Sequence, residues 1–183
     1  MELAPYSVQH SVEIQNLYEK TFSDSEGESE GTAIRDLVAC LMSDTATQDL
    51  FGFVAYKADK VIGCIFFSRL EFDDPVEAFL LSPVAVDTKF QGQGVGQALI
   101  NFGLEQLKKN EVRLVFTYGD PNYYSKVGFQ QISEDIAKAP FKLSQPHGWL
   151  CQSLDGSDLA ALAGNARCGT ARCVAAFNVP ELW

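Results

Sequence analysis

Histidine is nearly missing from this chain, with His10 and His147 the only two among 183 residues. The five cysteines, Cys40, Cys64, Cys151, Cys168 and Cys173, contain no CxxC pair, and neither histidine lies near a cysteine pair at metal spacing. A metal site is therefore disfavoured, and reduced, mostly buried thiols are expected. Cys168 and Cys173 are close enough in sequence to bridge, but an intracellular setting argues against a stable disulfide. Cations are also short: 14 Lys+Arg against 24 Asp+Glu give a net charge of -10, which argues against nucleic acid as a partner. The acidity either keeps the protein soluble or favours a cationic amine. No segment reaches the roughly 18 apolar residues of a membrane span, and the start, MELAPYSVQHSVE, has neither the basic nor the apolar region of a signal peptide. No membrane partner and a cytoplasmic location are expected.

A hydrophobic content of 46% suits one α/β domain over residues 1–183, with a core at about 8–154 and a C-terminal extension at 155–183. Val12, Ile14, Leu17, Tyr18 and Phe22 predict a first helix within Val8 to Phe22, with Ser11 as its N-cap. SDSEGESEG, from Ser23 to Gly31, has no apolar residue and reads as an exposed loop. A second helix is expected from about Thr32 to Ser43. Leu50 to Lys57 and Val61 to Ser68 read as an antiparallel hairpin turned at Ala-Asp-Lys. Further strands are expected at Arg113 to Tyr118, Gln130 to Ser133 and Trp149 to Leu154. SDLAALAG reads as a helical turn or two, and the terminal Trp183 as an aromatic that packs down.

The stretch from Phe79 to Phe102, FLLSPVAVDTKFQGQGVGQALINF, organises the rest. An apolar strand leads through a short polar link into a glycine-rich turn, and Val95, Ala98, Leu99 and Phe102 then repeat at helical spacing. Glycines at a strand-to-helix junction suit an anion, because the first N–H groups of a helix have no intrahelical partner and the peptide dipoles add positive charge there. The turn is not a nucleotide P-loop, since no GK[ST] follows. The dinucleotide fingerprint GxGxxG also fails, with Gln97 after Gly96 and the next glycine at Gly103. An NAD- or flavin-dependent oxidoreductase would rest on three alternating glycines alone. Pro83 cannot donate to a sheet ladder, so a bulge is expected within the strand.

Gln91, Gly94 and Gly96 spell QxxGxG, and here the chain resembles the GCN5-related N-acetyltransferase (GNAT) family, whose (Q/R)xxGx(G/A) loop cradles the pyrophosphate of acetyl-coenzyme A. A second motif, PNYYSKVGF, has Tyr124 ahead of Gly128 and Phe129, as the family has a tyrosine ahead of Gly-Phe. GDPNYYSKVGF is similar to a bacterial single-domain branch of that family. The resemblance implies the GNAT fold: a mixed, mostly antiparallel sheet with a bulged, splayed strand pair and flanking helices. It implies acetyl-CoA as co-substrate, bound by Val84, Ala85 and Val86 on the bulged strand and by Gln91, Gly92, Gln93, Gly94, Val95, Gly96 and Gln97 in the loop. Asn122 is either a pantetheine contact or only a helix N-cap. Lys126 and Lys89 either meet an outer phosphate of the cofactor or are plain surface lysines.

The implied reaction is direct acetyl transfer to a primary amine of a small molecule or peptide. No cysteine lies in either motif, so no acyl-enzyme is expected. Tyr124 would protonate the leaving thiolate, a role that suits a side chain with a reference pKa of about 10; otherwise it packs under the cofactor. Tyr123 reads as core or substrate wall. The base is poorly marked: Glu30 and Glu77 are the candidates, and a water chain is the alternative. A member of another class would fit the same motifs, namely an acyl-CoA-binding sensor or partner module without turnover. Family members are often homodimers, and nothing in the sequence marks an interface.

Overall fold

Strand β2 (Leu50–Lys57) turns into β3 (Lys60–Glu71) through only Ala58 and Asp59, which take φ values of 49° and 60°. Positive φ at both central residues is the type I′ pattern, whose twist matches that of the strands it joins. The structure is a computed structural model that describes residues 1–159 and 169–183. The remaining elements are β1 (Glu2–Pro5), α1 (Ser11–Glu26), α2 (Glu28–Asp44), β4 (Ala78–Val86), α3 (Val95–Lys109), β5 (Leu114–Tyr118), α4 (Pro121–Tyr124), β6 (Gln130–Gln131), β7 (Trp149–Ser153) and β8 (Arg172–Cys173). The strands pair in the order β1-β2-β3-β4-β5-β7-β6, with β8 on β3. This is a mixed α/β fold whose sheet is mostly antiparallel, β4 and β5 being parallel. The residues group into two compact units, Met1–Phe67 with Pro83–Gly103 and Ser68–Ser82 with Leu104–Trp183.

In the first unit, β1 pairs antiparallel with β2, from Glu2↔Tyr56 to Pro5↔Phe53. The sequence reading did not anticipate this strand, and Pro5 is tolerated because β1 is an edge. The expected acidic loop from Ser23 to Gly31 is not a loop. Helix α1 runs on to Glu26, and α2 starts at Glu28. Only Gly27, at φ 104° and ψ 161°, breaks the backbone, a conformation open to glycine. Gly31 is buried inside α2, where an added Cβ would overlap Ser23 Oγ and the Glu19 carbonyl of α1. Residues 24–29 are exposed, as their polar composition suggests, but they are the adjoining ends of two helices and not a loop; the hairpin those helices form buries Ile14, Leu17, Tyr18, Ile34, Val38 and Leu41. Ser11 is not an N-cap either: it is the first residue of α1, and its hydroxyl donates to the Val8 carbonyl at 2.6 Å. Phe53 packs edge-on against Phe67 and Phe102, with ring centroids 6.0 and 5.5 Å away.

In the second unit, β4 pairs with β5 only from Ala78↔Leu114 to Leu80↔Phe116. Strand β7 runs antiparallel to β5 along its whole length, from Leu114↔Ser153 to Tyr118↔Trp149, and carries the short β6 on its other side. The Phe116 and Trp149 rings stack at 5.1 Å, and the Trp149 indole donates to the Ala137 carbonyl at 2.9 Å. Trp183 packs down as expected: it is buried, lies 5.9 Å from Trp149, and its indole donates to the Phe177 carbonyl. β8 joins the end of β3 through Leu70↔Cys173 and Glu71↔Arg172. Cys168 and residues 160–164 of SDLAALAG lie outside the described residues.

Candidate active site

The glycine turn lies in the first unit. After β4, Asp87 caps a 3₁₀ turn over Thr88–Phe90 by accepting from the Lys89 N–H at 3.0 Å. Gly92 and Gly94 take φ values of 72° and 81°, and an added Cβ at either would meet nothing within 4 Å. Glycine is thus favoured by the torsion, and the space where a side chain would stand is open. The first main-chain bond of α3 runs from the Ala98 N–H to the Gly94 carbonyl at 3.0 Å, so the N–H groups of Val95, Gly96 and Gln97 precede the ladder. These donors, the positive end of the helix and the two uncrowded glycines suit a multiply charged anion such as a diphosphate.

Side chains brace the turn from several directions. Gln91 Nε2 donates to the Val86 carbonyl at 3.0 Å, and Gln93 Nε2 to the Lys89 carbonyl at 3.0 Å. Thr21 of α1 also reaches the Val86 carbonyl, at 3.5 Å. Thr88 donates to Asp24 at 2.6 Å, and Lys20 pairs with both Asp24 and Asp87. The acidic tail of α1 therefore anchors the link into the glycine turn. The Lys57 ammonium sits 4.8 Å from the Phe90 ring centre. The Tyr18 hydroxyl, buried, points at two carbonyls, Cys64 at 2.8 Å and Pro83 at 3.0 Å.

Tyr124 lies in the second unit, at the end of α4. Asp120 caps that helix through the Asn122 N–H at 2.9 Å, and also accepts from the Asn122 side-chain amide at 3.0 Å. Asn122 is therefore not the cap. Gly128, at φ 94°, stops the following turn, and a Cβ there would lie 2.8 Å from the Gln152 amide nitrogen. The Tyr124 ring meets Tyr123 and Phe129 edge-on at 5.1 and 5.8 Å. Its Cε2 edge abuts Gly119, where an added Cβ would come within 2.7 Å of Cε2. Burial pushes the Tyr124 hydroxyl up to about 12, outweighing the neighbouring Thr117 hydroxyl, which lowers it, while Tyr123 adds a smaller upward push. Burial likewise raises Tyr123. Tyr124 is thus a protonated donor at any physiological pH.

The remaining candidates fall in both units. Glu30 sits half-buried in the first turn of α2, in the first unit. Glu77, in the second unit, pairs through its carboxylate with Arg69 at 2.7 Å, while its carbonyl accepts from the N–H groups of Arg113 and Leu114. Lys89 and Lys126 are exposed. Gly119, which abuts the tyrosine ring, and Thr117, whose hydroxyl donates to the Leu81 carbonyl, were not singled out from sequence. Their signal was the alternation Thr-Tyr-Gly just before Asp-Pro.

A model of the acetyltransferase (GNAT) domain matches residues 48–131. Over 139 residues the chain is 33% identical to the uncharacterized N-acetyltransferase YjhQ of Escherichia coli K12, covering 73% of this chain and 76% of that protein. The chain belongs to the GNAT acetyltransferase family. This GNAT chain is also similar to the crystal structure of the GNAT family N-acetyltransferase YhbS from Escherichia coli in complex with CoA, at a TM-score of 0.79 and 25% identity, covering 97% of this chain and 92% of that one. A GNAT family acetyltransferase from Brucella melitensis in complex with acetyl-CoA is similar at a TM-score of 0.64 and 26% identity, covering 86% and 89%. The enzyme class follows: this GNAT chain is an acyl-CoA-dependent acetyltransferase.

Proposed function

We propose that this GNAT acetyltransferase transfers acetyl from acetyl-CoA directly to a primary amine of a small molecule or peptide, with Tyr124 as general acid. Acetyl-CoA, when bound, supplies an activated thioester and a thiolate leaving group. The observation that carries the reading is the glycine turn at the start of α3, whose unpaired N–H groups and open space suit the diphosphate of acetyl-CoA; burial pushes the Tyr124 hydroxyl up to about 12, so it carries its proton when the thiolate departs. The main-chain donors of Gly92 to Gln97 hold the diphosphate, with Gln91 and Gln93 bracing the turn. The backbone of Val84, Ala85 and Val86 holds the pantetheine arm, and Asn122, Lys126 and Lys89 serve the cofactor's outer parts. The crystal complexes of the two structural relatives with CoA and acetyl-CoA support that ligand.

The amine must lose a proton before or during attack, and Glu30, Glu77 or an ordered water takes it. Glu77 would do so while paired with Arg69. Direct attack is supported by the position of the cysteines, none of which lies in the glycine turn or the Tyr124 motif. Of the described thiols Cys64 and Cys151 are buried, Cys173 is partly covered and Cys40 is exposed, so the expectation of mostly buried thiols holds for only half of them. Calorimetric titration of acetyl-CoA, with NAD as control, into wild type and Gly94→Glu tests the cradle, and turnover of Tyr124→Phe tests the acid. The expected results are thioester binding that the loop variant loses, and a rate loss of roughly 10²-fold or more in Tyr124→Phe with CoA affinity kept. Binding equal in both proteins would refute the cradle, and unchanged turnover would remove Tyr124 from the mechanism.

A further inference from the structure

Tyr18 is fully buried on α1, and its ring lies within 20° and 28° of parallel to those of Phe22 and Phe66, at centroid distances of 6.4 and 6.2 Å. That packing sets the hydroxyl against two carbonyls, Cys64 of β3 at 2.8 Å and Pro83 of β4 at 3.0 Å. A phenol has one proton, so the two strands share it. Three residues further along the same helix, Thr21 reaches the Val86 carbonyl at 3.5 Å, so one face of α1 runs along β4 from Pro83 to Val86. The Pro83 carbonyl and the Val84 N–H belong to one planar peptide and point in opposite directions. With its carbonyl held by Tyr18, that peptide turns its N–H away from the tyrosine. Strand alternation agrees: the Asp87 N–H, three peptides on, is the one that reaches β3, on the Ile62 carbonyl at 2.9 Å. Pairing of β4 with β5 stops at Leu80↔Phe116, before it reaches Val84. Pro83 carries no N–H, so the donor at this point of β4 is that of Val84, which is half-buried between the buried Pro83 and Ala85.

We infer that Tyr18 is a positioning residue for acetyl-CoA: by holding the Pro83 carbonyl it aims the Val84 N–H at a carbonyl oxygen of the pantetheine and thioester arm. This rests on the proposed role of Val84, Ala85 and Val86 in holding that arm. The arm carries two amide carbonyls and one thioester carbonyl, each an acceptor suited to a main-chain N–H. Tyr18 acts through one peptide plane and not on the reacting atoms. Its hydroxyl fixes the rotation of that plane at a place where the β5 ladder no longer reaches, and the stacked ring keeps the hydroxyl from following the strand if it drifts. A donor aimed before the ligand arrives need not be ordered at the moment of binding, so its loss is read as affinity for the arm.

The test is Tyr18→Phe, which keeps the stacked ring and removes the hydroxyl, with 4-aminophenylalanine at position 18 as the restoring variant, since its amino group again donates. Calorimetric titrations use acetyl-CoA and 3′-phosphoadenosine 5′-diphosphate, which is coenzyme A without the arm. Tyr18→Phe should bind acetyl-CoA roughly 3- to 10-fold more weakly, the worth of one hydrogen bond, and bind the armless nucleotide as wild type does. 4-Aminophenylalanine should restore the acetyl-CoA affinity. Equal weakening of both ligands, or a loss that 4-aminophenylalanine leaves in place, overturns the inference in favour of general loosening. A second measurement leaves Tyr18 untouched: in wild type labelled with ¹⁵N-valine, the Val84 amide resonance, identified by its loss in Val84→Ile, should shift with acetyl-CoA and hold still with the armless nucleotide. A Val84 amide that ignores acetyl-CoA overturns the placement of the arm on this strand, and the inference with it. A Val84 amide that shifts, alongside unchanged acetyl-CoA affinity in Tyr18→Phe, overturns the inference alone. Should Tyr18→Phe not fold, Tyr18→Met replaces it under the same criteria.

Discussion

Adding one methyl group at Gly119 should slow the enzyme without altering the chemistry of any group that reacts. Gly119 is not among the positive-φ glycines, so alanine suits its backbone and the perturbation is purely steric. The new Cβ would lie 2.7 Å from Tyr124 Cε2. Ordinary carbon contacts begin near 3.5 Å, so the ring must move by about 0.8 Å. Overpacking of this kind costs about 1–3 kcal/mol. A displacement approaching 1 Å at a reacting group costs roughly 10²-fold in rate. The expected outcome for Gly119→Ala is a folded protein with kcat down about 10²-fold and KM for acetyl-CoA changed less than about threefold, since binding in the cradle is untouched. The assay is thiol release in wild type, Gly119→Ala, Tyr124→Phe and the double variant. Because both changes act through one side chain, the double variant should be little slower than Tyr124→Phe alone. Wild-type kcat in Gly119→Ala, or penalties that simply multiply in the double variant, would refute the reasoning.

Gly31→Ala should destabilise the protein by about 1–3 kcal/mol in urea unfolding, because its Cβ would overlap Ser23 and Glu19 across the helical hairpin; an unchanged midpoint would show that the helices part at little cost. Glu111, at φ 60°, occupies the left-handed position after α3, with Val112 N–H on the Leu107 carbonyl and Glu111 N–H on that of Lys108. Glu111→Gly should raise stability by about 0.5–1 kcal/mol, read as a higher melting temperature, because glycine takes that torsion without strain. Tyr124 titrates at about 12 when folded against an ordinary 10, so the unfolded chain releases its proton first as pH rises. Its contribution to stability is complete below about pH 10 and is lost as the pH climbs through the folded value. Urea midpoints for wild type should fall more steeply above about pH 10 than those for Tyr124→Phe, and parallel curves would contradict this.

The parts of the fold legible in the sequence are those where one local signal dominates. Leu50 to Lys57 is dense in Phe, Val and Tyr and meets a two-residue turn, and β2 spans those residues. Helix α3 starts at Val95, directly after the last of the glycines with positive φ. The failures occur where composition and structure part company. Four acids and two glycines in Ser23 to Gly31 resemble a loop, yet Asp24 holds Thr88 and Lys20, and Gly31 permits the contact of two helices. Those roles depend on partners up to 64 residues away, which no local window contains. The same holds at the site. The glycine turn and Tyr124 were readable because each sits in a contiguous motif. Thr117 was not, because its meaning comes from Leu81, 36 residues earlier. Strand β1 escaped because Glu2 to Pro5 has only two central residues partly covered and a proline at its end.

At Gly92 and Gly94 the left-handed torsion comes with no protein atom crowding the missing side chain. The demand at these two positions is one of handedness, not of size. A mirror-image residue introduced by chemical synthesis, D-alanine for example, would favour the same torsion, whereas its natural enantiomer strains against it by roughly 1–2 kcal/mol. Such a pair of enantiomers separates the folding of the turn from its occupation: whatever affinity D-alanine removes while the turn stays formed measures how closely the guest approaches the main chain.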